Sequence, residues 1–262
     1  MKNLMKKFVI IFLLAIPLFS TAEPSKKGGE YYQVTIYHFS TSQQQELIGQ
    51  YLKDAYLPAL HRQQIKNIGV FTLIANDTVT DKRLYVIVPL KSLKQVTEIT
   101  EKLASDNDYI SNGKAYLEAG YNTPPYSRIE KILTQAFPLA PNLILPKLTG
   151  PIAERVYELR SYESPTENIF RNKVQMFNEG GEIALFKQLN FNAVFYSSVV
   201  SGSNTPNLMY MTSFENMADR DAHWKSFGAS PEWKKLSAMP EYQHNVSKNT
   251  SYFLRPTSYS DY

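Results

Sequence analysis

The sequence of 262 residues predicts an α+β fold built from two copies of one βαββαβ unit, joined in tandem. The first observation behind this prediction is a repeat. Tyr32–Tyr37 reads YQVTIY and Tyr157–Tyr162 reads YELRSY, so both terminal tyrosines match at a constant shift of 125 residues. Two further pairs share this shift and this order: Asn67 with Asn192, and Tyr85 with Tyr210. Several matches at one shift indicate a duplication, whereas each match alone would carry no weight.

The second observation is that both copies show the same order of secondary-structure signals. In the first copy, a strand near 31–39 leads into a helix that begins at Ser42 and has an apolar face. The rest of the unit comprises two β-rich runs separated by Asn76–Asp77, a helix near 92–105 and a strand near 126–135. The second copy has a strand near 155–163, a helix from Thr166, β-rich runs around Ser201–Asn204, a helical stretch near 217–238 and a strand near 247–255.

These signals divide the chain into an N-terminal unit at 30–137, a proline-rich linker at 138–153 and a C-terminal unit at 154–258. Residues 138–151 of the linker read PLAPNLILPKLTGP, which is too apolar for a free spacer, so we expect the linker to lie along the surface of one half. One ferredoxin-like unit leaves a face of its four-stranded antiparallel sheet uncovered. We therefore expect the two sheets of this chain to pack together, as a closed barrel or a sandwich, with the helices outside.

The strand at Val156–Tyr162 carries Glu158 and Arg160, and side chains two residues apart share one face of a strand. We expect Leu159 to face the helices, so that Glu158, Arg160 and Tyr162 look toward the opposing sheet. One interpretation is a structural ion pair, because removing one partner of a buried pair costs about 3–5 kcal/mol. The other is a ligand site between the sheets, where Arg160 orients an anionic or carbonyl group and Glu158 fixes the guanidinium.

The C-terminal unit resembles the NIPSNAP family. The resemblance is carried by VYELRSY at 156–162, the glycine pair at 180–181, PEW at 231–233 and FLRP at 253–256. The N-terminal unit looks like a diverged copy without the Glu/Arg pair, so a site built on these motifs is expected in the second half only. The resemblance implies a dimeric α/β-barrel fold. It also implies a superfamily whose members include small-molecule monooxygenases, haem-binding enzymes and stress-response proteins that bind between sheet and helices.

The remaining polar residues give no metal or cofactor signature. The four histidines are not spaced as metal ligands, and the absence of cysteine removes disulfides, thiol catalysis and thiolate metal sites. We therefore expect no metal and no cofactor. Two residues join Glu158, Arg160 and Tyr162 as candidate ligand-binding residues: His38, late in the first strand, and Trp224, in the aromatic-rich helical stretch. An ordinary polar histidine and core packing of the tryptophan are the plainer interpretations.

The N-terminus has the pattern of a secretory signal peptide at 1–22: lysines, a short apolar run at 8–19 and small residues before a cleavage site after Ala22. An uncleaved anchor helix is the alternative. Cleavage removes three lysines, which lowers the formal net charge of +4 to about +1, so the basic character is no evidence for nucleic acid binding. We expect a periplasmic or secreted protein with no membrane span after cleavage, either monomeric or a homo-oligomer.

Three functions are compatible with the sequence. The preferred hypothesis is an exported protein that binds a small molecule between sheets and helices. The alternative is a cofactor-free oxygenase or isomerase acting on a small carbonyl or aromatic compound, with Arg160 orienting the substrate and Glu158 or His38 handling a proton. The third is a purely structural or oligomerisation module.

Overall fold

The computed structural model describes residues 28–262, so the predicted signal peptide at 1–22 lies outside the described residues. Eight antiparallel strands form one closed barrel in the order β1–β3–β2–β8–β5–β7–β6–β4. They are β1 (Tyr31–Phe39), β2 (Gly69–Leu73), β3 (Lys82–Leu90), β4 (Arg128–Ala136), β5 (Val156–Glu163), β6 (Phe195–Ser201), β7 (Asn207–Phe214) and β8 (Lys248–Pro256). Each half contributes four adjacent strands, which confirms the predicted barrel of two ferredoxin-like sheets within one chain.

The helices cover the outside of the barrel. The N-terminal half has α1 (Ser42–Tyr51), a π-helical turn (Leu52–Tyr56), α2 (Leu57–Arg62), α3 (Lys94–Ala104), α4 (Asn107–Asn112) and α5 (Lys114–Leu117). The C-terminal half has α6 (Glu167–Phe177), α7 (Glu182–Gln188), α8 (Met217–Ala229) and α9 (Pro231–Ala238). Thr41 and Thr166 cap α1 and α6 in the same way, each accepting a hydrogen bond from the backbone N–H three residues on. No helix within residues 28–262 is long and apolar enough to cross a membrane.

The interior of the barrel is a packed apolar core. Tyr32 and Tyr157, the first tyrosines of the repeat, both point inward and are fully buried. The inward-facing side chains around them include Val34, Phe71, Ile87, Leu159, Phe195, Met211 and Leu254. Side chains that fill the barrel hold the two sheets together through burial of apolar surface.

One of the repeat matches is wrong by one residue. Tyr85 faces the barrel interior, whereas Tyr210 faces the helices and lies beside Tyr162. The strand pairing explains this, since Tyr37 pairs with Leu84 while its counterpart Tyr162 pairs with Leu208. The position equivalent to Tyr85 is therefore Met209. A shift of one residue moves a side chain to the other face of a strand.

The linker closes one end of the barrel instead of following one half. It is attached to the N-terminal half because Leu143 N–H donates to the Glu30 carboxylate at 2.7 Å. It is attached to the C-terminal half because Ile144 N–H donates to the Val194 carbonyl at 2.9 Å. The carboxylate of Glu215 also accepts from the N–H groups of Thr149 and Gly150, and these bonds lower the pKa of Glu215. Leu143 and Leu148 pack onto the core, which accounts for the apolar composition of the linker.

Candidate functional site

Glu158 and Arg160 lie on the outer face of the barrel, beneath α8, and the predicted orientation of this strand is wrong. Leu159 packs inside the barrel, while Glu158 contacts Arg220 and Trp224 of α8. Both faces of β5 are buried, so alternation along the strand separates the two faces without indicating which one meets the helices.

The carboxylate of Glu158 is fully buried and is surrounded by donors. It accepts from Arg160 Nη1 at 3.0 Å, from Arg220 Nε at 2.9 Å and Nη2 at 3.0 Å, and from Trp224 Nε1 at 2.7 Å. The hydrogen bond to Glu158 raises the pKa of Arg220. A carboxylate that accepts four hydrogen bonds has little remaining capacity to act as a base, because its lone pairs are engaged. Of the two interpretations of the Glu158/Arg160 pair, this geometry agrees with the structural ion pair and not with the ligand site.

Arg160 is enclosed by aromatic rings. Its guanidinium carbon lies 4.3 Å from the ring centre of Trp224 and 5.4 Å from that of Tyr162. Burial alone would lower the pKa of Arg160, but Tyr210, Tyr162 and Glu158 raise it. The Tyr162 hydroxyl in turn meets the Tyr210 hydroxyl at 2.9 Å. Four of the five candidate residues, Glu158, Arg160, Tyr162 and Trp224, therefore form one cluster, and Arg220 is a member that the sequence did not reveal.

Aromatic side chains fill the rest of the space between this sheet and its helices. Trp224 packs edge to face against Phe191 with ring centres 5.0 Å apart, and Phe227 lies 4.5 Å from Trp233. Further rings in this layer are Phe177, Phe186, Tyr196 and Phe214. Core packing therefore accounts for both tryptophans. An open groove of about 400 Å³ remains beyond Tyr162, beside the buried ion pair of Lys173 and Glu182 at 2.9 Å.

His38 lies apart from this cluster. It points along the inner side of β1 at the end of the barrel opposite the linker, where Nδ1 is 2.8 Å from Asp81 and Nε2 is 2.9 Å from Glu130. The structure thus does not bring His38 together with the other four candidates. Within residues 28–262, no group of three or more histidine and carboxylate side chains is arranged to hold a metal ion.

A cavity of about 360 Å³ lies between the sheet and the helices of the N-terminal half. Its floor is the outer face of β1 and β4, where Gln33, Thr35 and Lys131 are exposed to it. Its walls include five tyrosines: Tyr37, Tyr51, Tyr56, Tyr109 and Tyr116. Volumes of this size are typical of small-molecule sites, and a polar floor under aromatic walls is their common composition.

The tyrosines of this cavity form a connected group. The Tyr51 hydroxyl meets the Tyr109 hydroxyl at 2.8 Å, and the Tyr51 ring stacks on Tyr116 with centres 3.8 Å apart. The π-helical turn Leu52–Tyr56 places Tyr56 beside Tyr51, with ring centres 5.8 Å apart. Residues five apart lie on the same side of a π-helix, whereas an α-helix would rotate them away from each other. Such turns occur frequently at functional sites.

The hydroxyl groups of this cavity are neutral at physiological pH. Burial is the largest cause that raises the pKa of Tyr37 and of Tyr51 well above the ordinary value, and neighbouring tyrosines raise it further. Burial is also the main cause of the raised pKa of Tyr109 and of Tyr116. Neutral phenols can both donate and accept hydrogen bonds, so the cavity offers both roles to a bound molecule.

Strand register identifies this cavity as the counterpart of the filled space in the C-terminal half. Tyr37 and Tyr162 occupy equivalent positions in the two sheets, which makes Gln33 equivalent to Glu158 and Thr35 equivalent to Arg160. The sequence analysis predicted a site built on the family motifs in the second half only. The signal for the cavity was the cluster of tyrosines in the helical segments of the first half, together with uncharged residues at the two floor positions.

The comparisons with known proteins agree with this architecture. Residues 157–261 match the NIPSNAP family model, which confirms the resemblance of the C-terminal half. A Lactobacillus acidophilus protein, assigned provisionally as a monooxygenase, aligns over 87% of this chain and 94% of its own with a TM-score of 0.57 and 11% identity. A Fusobacterium nucleatum protein with the same provisional assignment aligns over 87% of this chain and 93% of its own, with a TM-score of 0.53 and 8% identity.

A third solved structure covers only one half. An uncharacterised NIPSNAP-like domain protein from Burkholderia xenovorans aligns over 41% of this chain and 90% of its own, at 21% identity and a TM-score of 0.37. No curated protein sequence matches this chain significantly. At their identities, the two structures that align over 87% of this chain show the fold, which is the dimeric α/β-barrel, and nothing about the reaction or ligand.

Proposed function

We propose that this protein, whose C-terminal half matches the NIPSNAP family, binds a small aromatic molecule in the tyrosine-lined cavity of its N-terminal half. The observation that carries the proposal is the cavity itself, because in the other half Arg220 and Trp224 fill the space over the equivalent floor positions, Glu158 and Arg160. Stacked tyrosine rings favour a flat aromatic ligand. Their hydroxyls, with Gln33 and Thr35, favour hydroxyl or carbonyl substituents on it.

The test uses a fluorescent hydroxycoumarin, a flat molecule with one hydroxyl and one carbonyl group. Thr100 lies on α3 at the rim of the cavity, so Thr100→Trp should place a ring across the opening and weaken binding by at least about tenfold. Ser226→Trp makes the same change on α8 of the other half and should leave the affinity unchanged. Equal affinity for both variants and the wild type would contradict the proposal.

Native mass spectrometry of the purified protein gives an independent result. A retained small molecule in the wild type that is absent from Thr100→Trp would identify the natural ligand class directly. Retention of the same molecule by both would locate the ligand elsewhere.

The second candidate is a cofactor-free oxygenase or isomerase, which the two provisionally assigned monooxygenases of the same fold favour. Proton abstraction from a substrate needs a positioned base. Within residues 28–262, the lining of the cavity contains no histidine or carboxylate, and Lys131 is its only amine. Glu158 is held by four hydrogen bonds and His38 lies on the other side of the sheet, so binding is better supported than catalysis. Oxygen uptake with hydroxyaromatic substrates, lost in Lys131→Met, would reverse this preference.

The roles of Glu158, Arg160, Tyr162 and Trp224 in this proposal are structural: they stabilise the half that does not hold the ligand. Export to the periplasm or beyond is part of the proposal and is supported by the signal sequence at 1–22. Mass spectrometry of the protein from the periplasmic fraction should show a mature N-terminus at Glu23. A full-length, membrane-bound product would contradict it.

A further inference from the structure

The two halves meet at two seams of the barrel, and the seams differ. At one seam β4 pairs with β6, from Ala136 opposite Ser197 to Leu133 opposite Ser201. At the other seam β2 pairs with β8 only through Phe71–Leu73 opposite Pro256–Leu254. Both seams join equivalent strands, so their difference reflects how far β2 and β6 continue in extended form.

The strand β2 stops early. After Leu73 the chain enters a 3-10 turn at Ile74–Asp77, and the strand pairing with β8 ends there. Its counterpart β6 continues to Ser201, and the following Gly202 lies so close to β4 that a Cβ atom there would come within 3.1 Å of Ile132. The continued chain therefore pairs with β4 as far as Leu133. At the other seam, called here the uncovered seam, no strand among residues 28–262 pairs with β8 before Leu254.

A groove of about 550 Å³ occupies the uncovered seam. Its walls are largely apolar and come from both halves, with Leu73, Ile74 and Val79 on one side and Met217, Tyr252 and Phe253 on the other. Asp81 and Arg83 stand at one end, joined by an ion pair at 2.7 Å, so their charges offset each other. The groove therefore favours an uncharged occupant with apolar side chains.

The edge of β8 along this groove is unpaired. Residues Lys248–Phe253 pair with β5 on one side, and within the described part of the chain no strand pairs with them on the other. Alternate N–H and C=O groups of such an edge point outward and can accept a further strand. A small apolar molecule would leave these polar groups without partners, whereas an extended peptide would satisfy them and fill the groove at once.

We propose that this groove is a peptide-binding site, in which an uncharged extended segment of about four residues adds as a strand to the free edge of β8. Main-chain hydrogen bonds to residues 248–253 would hold the backbone. Alternate side chains of the peptide would pack on Phe253 and Ile74. The site is separate from the tyrosine-lined cavity, so it neither depends on the proposed ligand nor tests it.

A segment of this chain can serve as the peptide probe. The peptide YSSVVSG, copied from Tyr196–Gly202, carries the strand that continues across the other seam and has no charged side chain. We expect a fluorescently labelled form to bind the full-length mature protein saturably, with a dissociation constant between about 1 μM and 1 mM. Ala75→Trp, at the exposed turn that lines the groove, should weaken this binding by at least about tenfold.

Val200→Trp is the matched control, since it adds the same ring to an exposed position at the other seam and should leave peptide binding unchanged. A second peptide with proline in place of both valines has fewer N–H donors and should bind at least about tenfold more weakly. Equal binding of the proline peptide would show that the main chain is not recognised and would overturn the proposal. Absence of saturable binding to the wild type up to about 1 mM would overturn it as well.

Hydrogen exchange of the wild-type protein gives a readout that needs no variant. The peptide should slow amide exchange in residues 248–253 and leave the equivalent stretch 128–132 of β4 unchanged. Protection that appears in β4, or in neither strand, would contradict the assignment of the site to β8.

Discussion

The two halves of the barrel place a sheet under a layer of helices in the same way, yet the space over the equivalent floor positions is open in one half and closed in the other. In the N-terminal half the floor positions are Gln33 and Thr35, and five tyrosines surround about 360 Å³ of open space. In the C-terminal half the equivalent floor positions are Glu158 and Arg160, and Arg220 and Trp224 close over them. A long charged pair brings its own partners into the space between sheet and helices, whereas short uncharged residues leave that space available.

This difference shows how a duplicated unit can divide its tasks. The half with the recognisable family motifs uses them for its own stability, because the conspicuous Glu/Arg pair is satisfied within the fold. The diverged half has no charges at the equivalent positions and holds the cavity. In this protein the motif that stands out in the sequence therefore does not mark the position of the cavity.

Alkaline pH should produce the largest effect and should affect the N-terminal half first. Burial raises the pKa of Tyr37, Tyr51, Tyr56, Tyr109 and Tyr116, and also that of Tyr162 and Tyr210 in the other half. Tyrosine in the unfolded chain has a pKa of about 10, and below that pH the buried tyrosines contribute their full stabilisation. Above it the free energy of unfolding falls by about 1.4 kcal/mol per tyrosine for each pH unit. At pH 11 the seven losses amount to about 10 kcal/mol, which is comparable to a typical total stability, so the protein should unfold near that pH.

Urea unfolding and tyrosinate absorbance between pH 8 and 11 measure this loss. Hydrogen exchange should show the helices α1 to α5 opening before α6 to α9, since water reaches the tyrosines through the cavity. Ionisation of most tyrosines near pH 10 without unfolding would contradict the burial of these hydroxyls.

Replacing the buried carboxylate tests the C-terminal half directly. Glu158→Gln leaves Arg160 without its counter-charge, removes one of the two carboxylates paired with Arg220, and should lower the free energy of unfolding by about 3–5 kcal/mol. Gln33→Ala, at the equivalent position of the other half, should lower it by less than about 1 kcal/mol because Gln33 faces open space. Urea denaturation of both variants gives the two values. Similar losses of stability for both variants would contradict the inference that the floor positions stabilise the C-terminal half more than the N-terminal half.

The buried Lys173–Glu182 pair provides a second test of the same half. Glu182→Leu strands the ammonium of Lys173 and should cost about 3–5 kcal/mol, whereas the double variant Lys173→Met/Glu182→Leu should regain most of that loss. In the N-terminal half the position equivalent to Lys173, counted from the shared N-cap threonines, is the fully buried Ile48. If the double variant were as unstable as the single variant, the Lys173–Glu182 pair would contribute to stability by more than the mutual neutralisation of its charges.

Removal of single hydroxyls separates stability from binding. Tyr51→Phe breaks the hydrogen bond to Tyr109, and Tyr162→Phe breaks the one to Tyr210. Each should lower the free energy of unfolding by about 1–2 kcal/mol. Only Tyr51→Phe should weaken binding of the hydroxycoumarin. If both variants reduced its affinity, the ligand would not be confined to the N-terminal cavity.

The smallest expected difference concerns the helix caps, where the two halves should behave alike. Thr41→Ala and Thr166→Ala each remove one side-chain hydrogen bond to the first turn of a helix, at about 1 kcal/mol. Thermal melts of both variants should agree closely. A clear excess for one of them would show that its helix start has a further role.

The sequence by itself determined the duplication, the order of strands and helices, and the family resemblance of the C-terminal half. These features depend on residues close together in the chain: alternation, capping and matching motifs act over a few positions. Even the repeat was accurate only where the loops have equal length, so Tyr32 and Tyr157 coincide in the fold while Tyr85 and Tyr210 point in opposite directions.

The tertiary structure alone decided which face of each strand meets the helices, and therefore where the open space lies. Strands buried on both faces carry no signal that separates inside from outside, so the orientation of Glu158 could not be read from VYELRSY. The partner Arg220 and the tyrosines at 109 and 116 reach their neighbours from distant parts of the chain. Their contribution to a floor or a wall exists only after the helices have packed on the sheet.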